Sequence, residues 1–160
     1  MKKIQSLSLL KEIIREKKKK GKRIVLANGC FDLIHPGHIR YLRAAKEKGD
    51  ILVVALNSDS SVRKLKEKGR PLLDQKERAE IISSFSFVDY VTIFNENTVE
   101  NVLLILEPDI HAKGSDYTKN TVPEKKVVKS YGGSIAIVGG AKINSTSDII
   151  KRIASLINIG

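Results

Sequence analysis

The feature that most constrains this chain is a regular alternation of short apolar runs with segments of helical period. The runs are RIVLAN, ILVVALN, YVTIF, DIHAKG and SIAIVG, all short and all but DIHAKG rich in aliphatic or aromatic side chains, which reads as strands covered on both faces. Between them lie helical stripes with their own punctuation. Ser6 or Ser8 can cap a first helix carrying Leu9, Leu10, Ile13 and Ile14, and Gly21 ends it. Pro36 suits the first turn of a second helix, whose stripe Ile39, Leu42 and Ala45 stops at Gly49. A short helix is expected around Val62 to Lys68, and Asp74 with Glu77 forms a capping box for a helix through Ile81 and Ile82. Thr98 is expected to cap a helix holding Val102, Leu103 and Leu106, which Pro108 stops. Pro123 opens another helix that Gly132 and Gly133 close, and Ser145, Thr146 and Ser147 open the last one, with Ile149, Ile150, Ile153 and Leu156.

Alternating strands and helices require right-handed crossovers and a parallel sheet. The expected fold is therefore α/β: a single doubly wound, Rossmann-like, five-stranded parallel sheet with helices on both faces. A length of 160 residues suits one such domain, read as an N-terminal helix over residues 1–21 and one compact unit over 22–160. In this architecture ligands bind beyond the carboxyl ends of the strands, where the strand order reverses. Residues just after the strands are thus the candidates for function.

Composition narrows the class. No apolar run approaches the length of a membrane span, and the apolar positions near the N-terminus are interrupted by Lys11, Glu12, Arg15 and Glu16, so neither membrane insertion nor a secretory leader is expected. One cysteine, Cys30, gives no disulfide framework or thiolate cluster, which suits a reducing cytoplasm. The formal charge of +11 calls for an anionic partner or a solvated face. Nucleic acid is disfavoured because aromatic side chains that would stack bases are scarce around the Lys17 to Lys20 run, which fits a solvated helix C-terminus.

The densest chemistry is NGCFDLIHPGH, residues 28–38. Gly29 allows a sharp turn off the first strand, and Gly37 allows the next helix to approach a ligand without a Cβ in the way. The helix opened by Pro36 points free N–H groups and the positive end of its dipole into that space, so a phosphate is favoured there. His35 and His38, three apart, lie on one side of the first turn and can donate hydrogen bonds to phosphate oxygens. Zinc is the competing reading for two histidines with Asp32 nearby, but no third ligand of the right type is close in sequence. Ser145, Thr146 and Ser147 provide hydroxyls and N–H groups at a second helix start, either as an ordinary cap or as a cradle for β- and γ-phosphates. Cys30 also lies beside a helix N-terminus, a position that can lower a thiol pKa, yet it is read as a small packing residue.

GCFDLIHPGH resembles the HxGH signature of the nucleotidyltransferase superfamily. NSDSSVRKLK, RPLLDQKERAEII, VDYV, KGSDY, YGG and STSDIIKRI, in that order, make the chain from about Arg23 to Ile153 similar to the D-glycero-D-manno-heptose 1-phosphate adenylyltransferases. The resemblance implies transfer of AMP from ATP to a heptose 1-phosphate, giving an ADP-sugar and pyrophosphate for lipopolysaccharide assembly. It implies His35, His38 and Lys66 as catalytic. It also implies nucleotide contacts at Gly29, Cys30, Phe31, Gly37, Arg78, Lys113, Gly114, Ser145, Thr146 and Ser147, with Lys66 and Arg78 on phosphate oxygens. Asp32, Asn57, Asp59, Asp116 and Tyr117 would serve the substrate. Magnesium would be held mainly by substrate phosphates, a homodimer is expected, and a separate heptose kinase would supply the acceptor, since in the family this domain also occurs fused to a sugar kinase. The chain departs from the family pattern at Ile143 and Glu67, both usually glycine, and at Ser147, where threonine is usual.

The implied chemistry suits the residue types. A phosphate acceptor is already ionised at neutral pH, so attack on an α-phosphorus needs alignment and charge neutralisation and neither a general base nor a covalent nucleophile. The alternatives are a cytidylyltransferase acting on glycerol 3-phosphate or another alcohol phosphate, and a non-catalytic RNA- or polyanion-binding domain. A class I aminoacyl-tRNA synthetase fragment lacks support, because no KMSKS-like segment is present.

Overall fold

A computed structural model describes residues 2–141 and 145–158. The elements run α1 (Leu7–Lys19), β1 (Ile24–Gly29), α2 (Pro36–Lys46), β2 (Ile51–Asn57), α3 (Asp59–Leu65), α4 (Gln75–Ser83), β3 (Tyr90–Phe94), α5 (Glu100–Leu106), β4 (Ile110–Gly114), α6 (Lys125–Ser130), β5 (Ser134–Val138) and α7 (Thr146–Ile157). All strand pairings are parallel, in the order β3-β2-β1-β4-β5, so the winding direction reverses between β1 and β4. This is the doubly wound α/β sheet that the alternation predicts.

Strand alternation divides the core in two. Val25 and Ala27 of β1 with Leu52, Val54 and Leu56 of β2 pack against Leu42 and Ala45 of α2 and Ala79 and Ile82 of α4. Ile24, Leu26, Val53 and Ala55 point the other way, onto Leu10 and Ile14 of α1, Val102, Leu103 and Leu106 of α5, and Val128 of α6. The first helix is thus built into the second core layer, with Leu10 and Ile14 fully buried. Residues ahead of it extend the sheet edge, where the Val91 N–H donates to Lys3 O and the Gln5 N–H to Val91 O, each at 2.9 Å.

Three local expectations are corrected. α3 starts at Asp59, ahead of the expected Val62, because the Ser58 side chain accepts from the Ser61 N–H and caps the helix earlier. α5 is not capped by Thr98: Val99 holds the cap position without a side-chain hydrogen bond, and burial of Val99 fixes the entry of the chain instead. α6 begins at Lys125 with Glu124 at its cap position, two residues beyond Pro123. The capping boxes at Asp74/Glu77 and Ser145/Asp148 are both present.

If α1 belongs to the core, Leu10→Ala should cost about 2–5 kcal/mol in urea unfolding. A change below about 0.5 kcal/mol, the size of an ordinary surface substitution, would show α1 to be dispensable.

Candidate active site

A cavity of about 710 Å³ opens at the carboxyl ends of β1 and β4, where the strand order reverses. Its walls bring together Gly29 to Asp32 and His35, Gly37 and His38 from the first turn, Asn57 from β2, Lys66 and Arg70 from the segment after α3, Lys113 to Tyr117 from the end of β4 and the residues following it, and Ser145 to Ser147 at the start of α7. Residues distant in sequence thus converge on one space.

The two histidines are built as a reciprocal helix cap. Pro36 at the first helical position has no N–H to satisfy, and His35 is the N-cap. His35 Nδ1 accepts from the Gly37 N–H at 3.1 Å, while His38 Nδ1 accepts from the His35 N–H at 3.4 Å. With both Nδ1 atoms acting as acceptors, each neutral ring carries its proton on Nε2, which is therefore a donor. The ring centroids are 4.0 Å apart. Burial, with the neighbouring His35, lowers the His38 pKa from 6.5 to about 4, so His38 presents a neutral imidazole donor at neutral pH. Phe31 supports the pair from below. It adopts a left-handed φ of 47°, is buried, and meets the His38 ring edge-on at 5.3 Å. A Cβ on Gly29 would stand 3.0 Å from the Phe31 ring, so glycine here serves close ring packing.

A second helix N-terminus joins the first. The Ser145 side chain accepts from the Asp148 N–H, and Thr146 Oγ1 donates to Leu33 O at 3.0 Å, which ties the start of α7 to the loop leading into α2. Two helix starts therefore address one cavity, but the free N–H groups expected at the start of α2 are not there: Pro36 has none, Gly37 N–H donates to His35 Nδ1 and His38 N–H to His35 O, so the helix dipole and the imidazole Nε2–H groups are what α2 offers an anion. Ile143 lies outside the described residues. Glu67, the other departure, is exposed, with Oε2 3.5 Å from Arg70 Nη1.

Several expected contacts are placed differently. Arg78, expected on phosphate oxygens, is fully buried and does not line the cavity. Its guanidinium is taken up by Cys30 O (2.6 Å), Asn57 O (2.8 Å), Leu73 O (3.0 Å) and Asp59 Oδ1 (2.8 Å). Asp59 likewise faces Arg78 and does not line the cavity. Asp32 does line it, but its carboxylate already accepts from Arg70 Nε at 2.7 Å and from the Leu72 and Leu73 N–H groups at 2.9 and 3.0 Å. Burial works to raise its pKa, and the Leu73 and Leu72 amides and Arg70 more than reverse that, holding it below the usual range. Asp32 thus anchors the segment that carries Lys66 and Arg70, which leaves little capacity for a substrate hydroxyl. Asn57 lines the cavity with its side chain donating to Ser61 Oγ at 2.9 Å. The Cys30 thiol is pushed up by burial, the reverse of what helix proximity alone gives. Arg70, Tyr41 and Glu124 are wall residues that the sequence motifs did not single out; only their placement beside a strand end or on the buried face of α2 identifies them. Among the described residues no group of three His, Cys, Asp or Glu side chains could hold a metal ion. No helix of the described residues is long and apolar enough to cross a membrane.

Comparison with known proteins agrees with this geometry. The family described as Cytidylyltransferase-like matches residues 26–152. The chain is 46% identical over 151 residues to the Bifunctional protein HldE of Geobacter sulfurreducens and 48% identical over 151 residues to that of Geobacter metallireducens, covering 94% of this chain in each case. It spans 31% of the length of each of those curated relatives. A crystal structure of a lipopolysaccharide core biosynthesis protein from Thermoplasma volcanium GSS1 superposes with a TM-score of 0.64 at 31% identity, covering 78% of this chain and 100% of that one.

The depressed His38 pKa has a sign that can be checked. Between about pH 4 and 6.5 the unfolded chain binds a proton that the native site refuses, so this contribution to stability is complete above pH 6.5 and declines as pH falls toward 4. The unfolding free energy measured across that range should fall less steeply in His38→Gln than in the wild type; identical slopes would refute a buried neutral His38.

Proposed function

Starting from the membership of this chain in the cytidylyltransferase-like family, which makes it a nucleotidyltransferase, we propose that it transfers AMP from ATP to D-glycero-D-manno-heptose 1-phosphate. The products are ADP-heptose and pyrophosphate. The observation that carries the reading is the pair of helix N-termini at one cavity, the first bearing neutral Nε2–H imidazoles and the second bearing serine and threonine hydroxyls. The acceptor phosphate oxygen attacks the α-phosphorus, the bond from that phosphorus to the α,β-bridging oxygen breaks, and its electrons leave with pyrophosphate. No proton has to be removed from the nucleophile.

His35 and His38 donate to oxygens whose charge grows in transfer, and such preorganised donors cost nothing to reorient during reaction. Lys66, exposed at the cavity rim, adds a mobile cation for the polyphosphate. Magnesium belongs to the proposal as an ion held by the substrate phosphates, in keeping with a cavity that supplies donors and cations more than clustered carboxylates. The choice of heptose is supported by the HldE relatives and by the neighbour named for lipopolysaccharide core biosynthesis. A heptose kinase that phosphorylates the sugar ahead of this step is also part of the reading. So is a homodimer, for which the exposed Ile153, Leu156 and Ile157 of α7 offer an apolar surface.

Pyrophosphate release should be seen with ATP and heptose 1-phosphate and not when CTP or GTP replaces ATP. Release with CTP and glycerol 3-phosphate instead would keep the mechanism and move the substrates, whereas salt-sensitive RNA binding without turnover would favour a polyanion-binding domain. His38→Ala should lower kcat by about 100-fold or more with a smaller change in ATP affinity. Equal losses in turnover and binding would remove His38 from transition-state stabilisation.

A further inference from the structure

Beside the phosphate-facing helix starts, the cavity has a second polar region built from β4 and the start of α6. Glu124 and Lys113 line it together, and both are buried. Glu124 Oε1 is 3.6 Å from Lys113 Nζ, and Oε2 lies 3.6 Å from Nε2 of the fully buried His111. Neither Glu124 Oε2 nor His111 Nε2 has a hydrogen-bond partner closer than that. Lys113 Nζ also sits over the Tyr117 ring, 4.8 Å from its centroid. His111 Nδ1 is 3.3 Å from Leu26 O, so the ring is set between β1 and the carboxylate. Burial works to raise the Glu124 pKa, but His111 and Lys113 overcome it and hold the group ionised, at about 2.

Lys113 by itself would be read as another phosphate ligand. The carboxylate beside it changes that reading, because a phosphate drawn to the ammonium would also meet a buried negative charge. A neutral ligand group that both donates and accepts meets no such conflict: a hydroxyl can give its proton to Glu124 Oε1 and receive one from Lys113 Nζ. We propose that Glu124 and Lys113, backed by His111, form a hydroxyl-binding clamp that recognises a sugar diol of a substrate, and that Glu124 is a specificity-determining residue. The proposal rests on the nucleotidyltransferase reading for its ligands. Those ligands offer two sources of the same chemistry, the ribose of the nucleotide and the ring of the acceptor sugar.

Binding calorimetry separates the possibilities without needing turnover, so failure of the clamp stays distinct from absence of pyrophosphate release. Inorganic tripolyphosphate probes phosphate binding alone. Glu124→Gln, nearly isosteric, should leave its Kd within about twofold; tightening by fivefold or more would make Lys113 a phosphate ligand that Glu124 restrains, and would overturn the clamp. ATP is then compared with its 2′-deoxy and 3′-deoxy forms, and heptose 1-phosphate with its ring-deoxy analogues. The wild type should favour the hydroxylated member of one series by roughly tenfold, the size of a hydrogen bond to a charged group. Glu124→Gln should abolish that preference, and Lys113→Met should abolish the same one without an additive loss in the double variant. Loss in the nucleotide series assigns the clamp to ribose and loss in the sugar series to the acceptor. Preferences that survive Glu124→Gln in both series overturn it.

Discussion

Arg78 holds the end of the sheet together. A guanidinium removed from water is tolerable only if its donors are satisfied and its charge is met. Here Asp59 meets the charge and three carbonyls take further donors: Cys30 just beyond β1, Asn57 at the end of β2, and Leu73 ahead of α4. Three chain segments, after β1, across the β2–α3 turn and ahead of α4, are thereby fixed around one planar group. The cavity floor depends on this, since Cys30 precedes the turn that places Phe31 and the histidines. Asp32 then adds a second fastening, drawing Arg70, Leu72 and Leu73 over the same end of the sheet.

Charge is distributed differently from what the +11 balance suggests. Arg78 and Arg70 are each paired with a carboxylate, and Lys113 is neutralised by Glu124. These three cations at the carboxyl end of the sheet are therefore already matched. What lines the cavity is a set of dipoles and neutral donors: two helix starts, the His35 and His38 rings, and the hydroxyls of Ser145 and Ser147, while the Thr146 hydroxyl is spent on Leu33 O. Such donors stabilise charge that develops in transfer without an equally strong hold on every phosphate in solution. Lys66, by contrast, is exposed at the cavity rim.

Legibility in the sequence followed the range of the interaction. Strand positions, the Asp74/Glu77 box and the turn before α2 depend on neighbours a few residues away, and they stand close to where periodicity and capping put them. α3 starts ahead of the expected Val62 because Ser58 takes the cap, and α5 lacks the expected Thr98 cap, with the buried Val99 at its cap position. Site roles separated in the same way. His35 and His38 are next to their own helix start, so their chemistry is local. Asp32 and Arg78 resemble ligands in sequence, but their partners lie 38 and 48 residues away, at Arg70 and Cys30. No local pattern records those pairings.

By itself the sequence determined the class of fold, the end of the sheet where the cavity opens, and the placing of two histidines at a helix start there. Each follows from hydrophobic period, from glycine and proline geometry, and from the capping of a helix start. The tertiary structure decided which charged side chains remain for a ligand and which are spent on one another. Hydrogen bonds and ion pairs inside a protein are made between groups brought together by the sheet, and a carboxylate saturated by two amides and a guanidinium is a different chemical object from the same carboxylate in a loop.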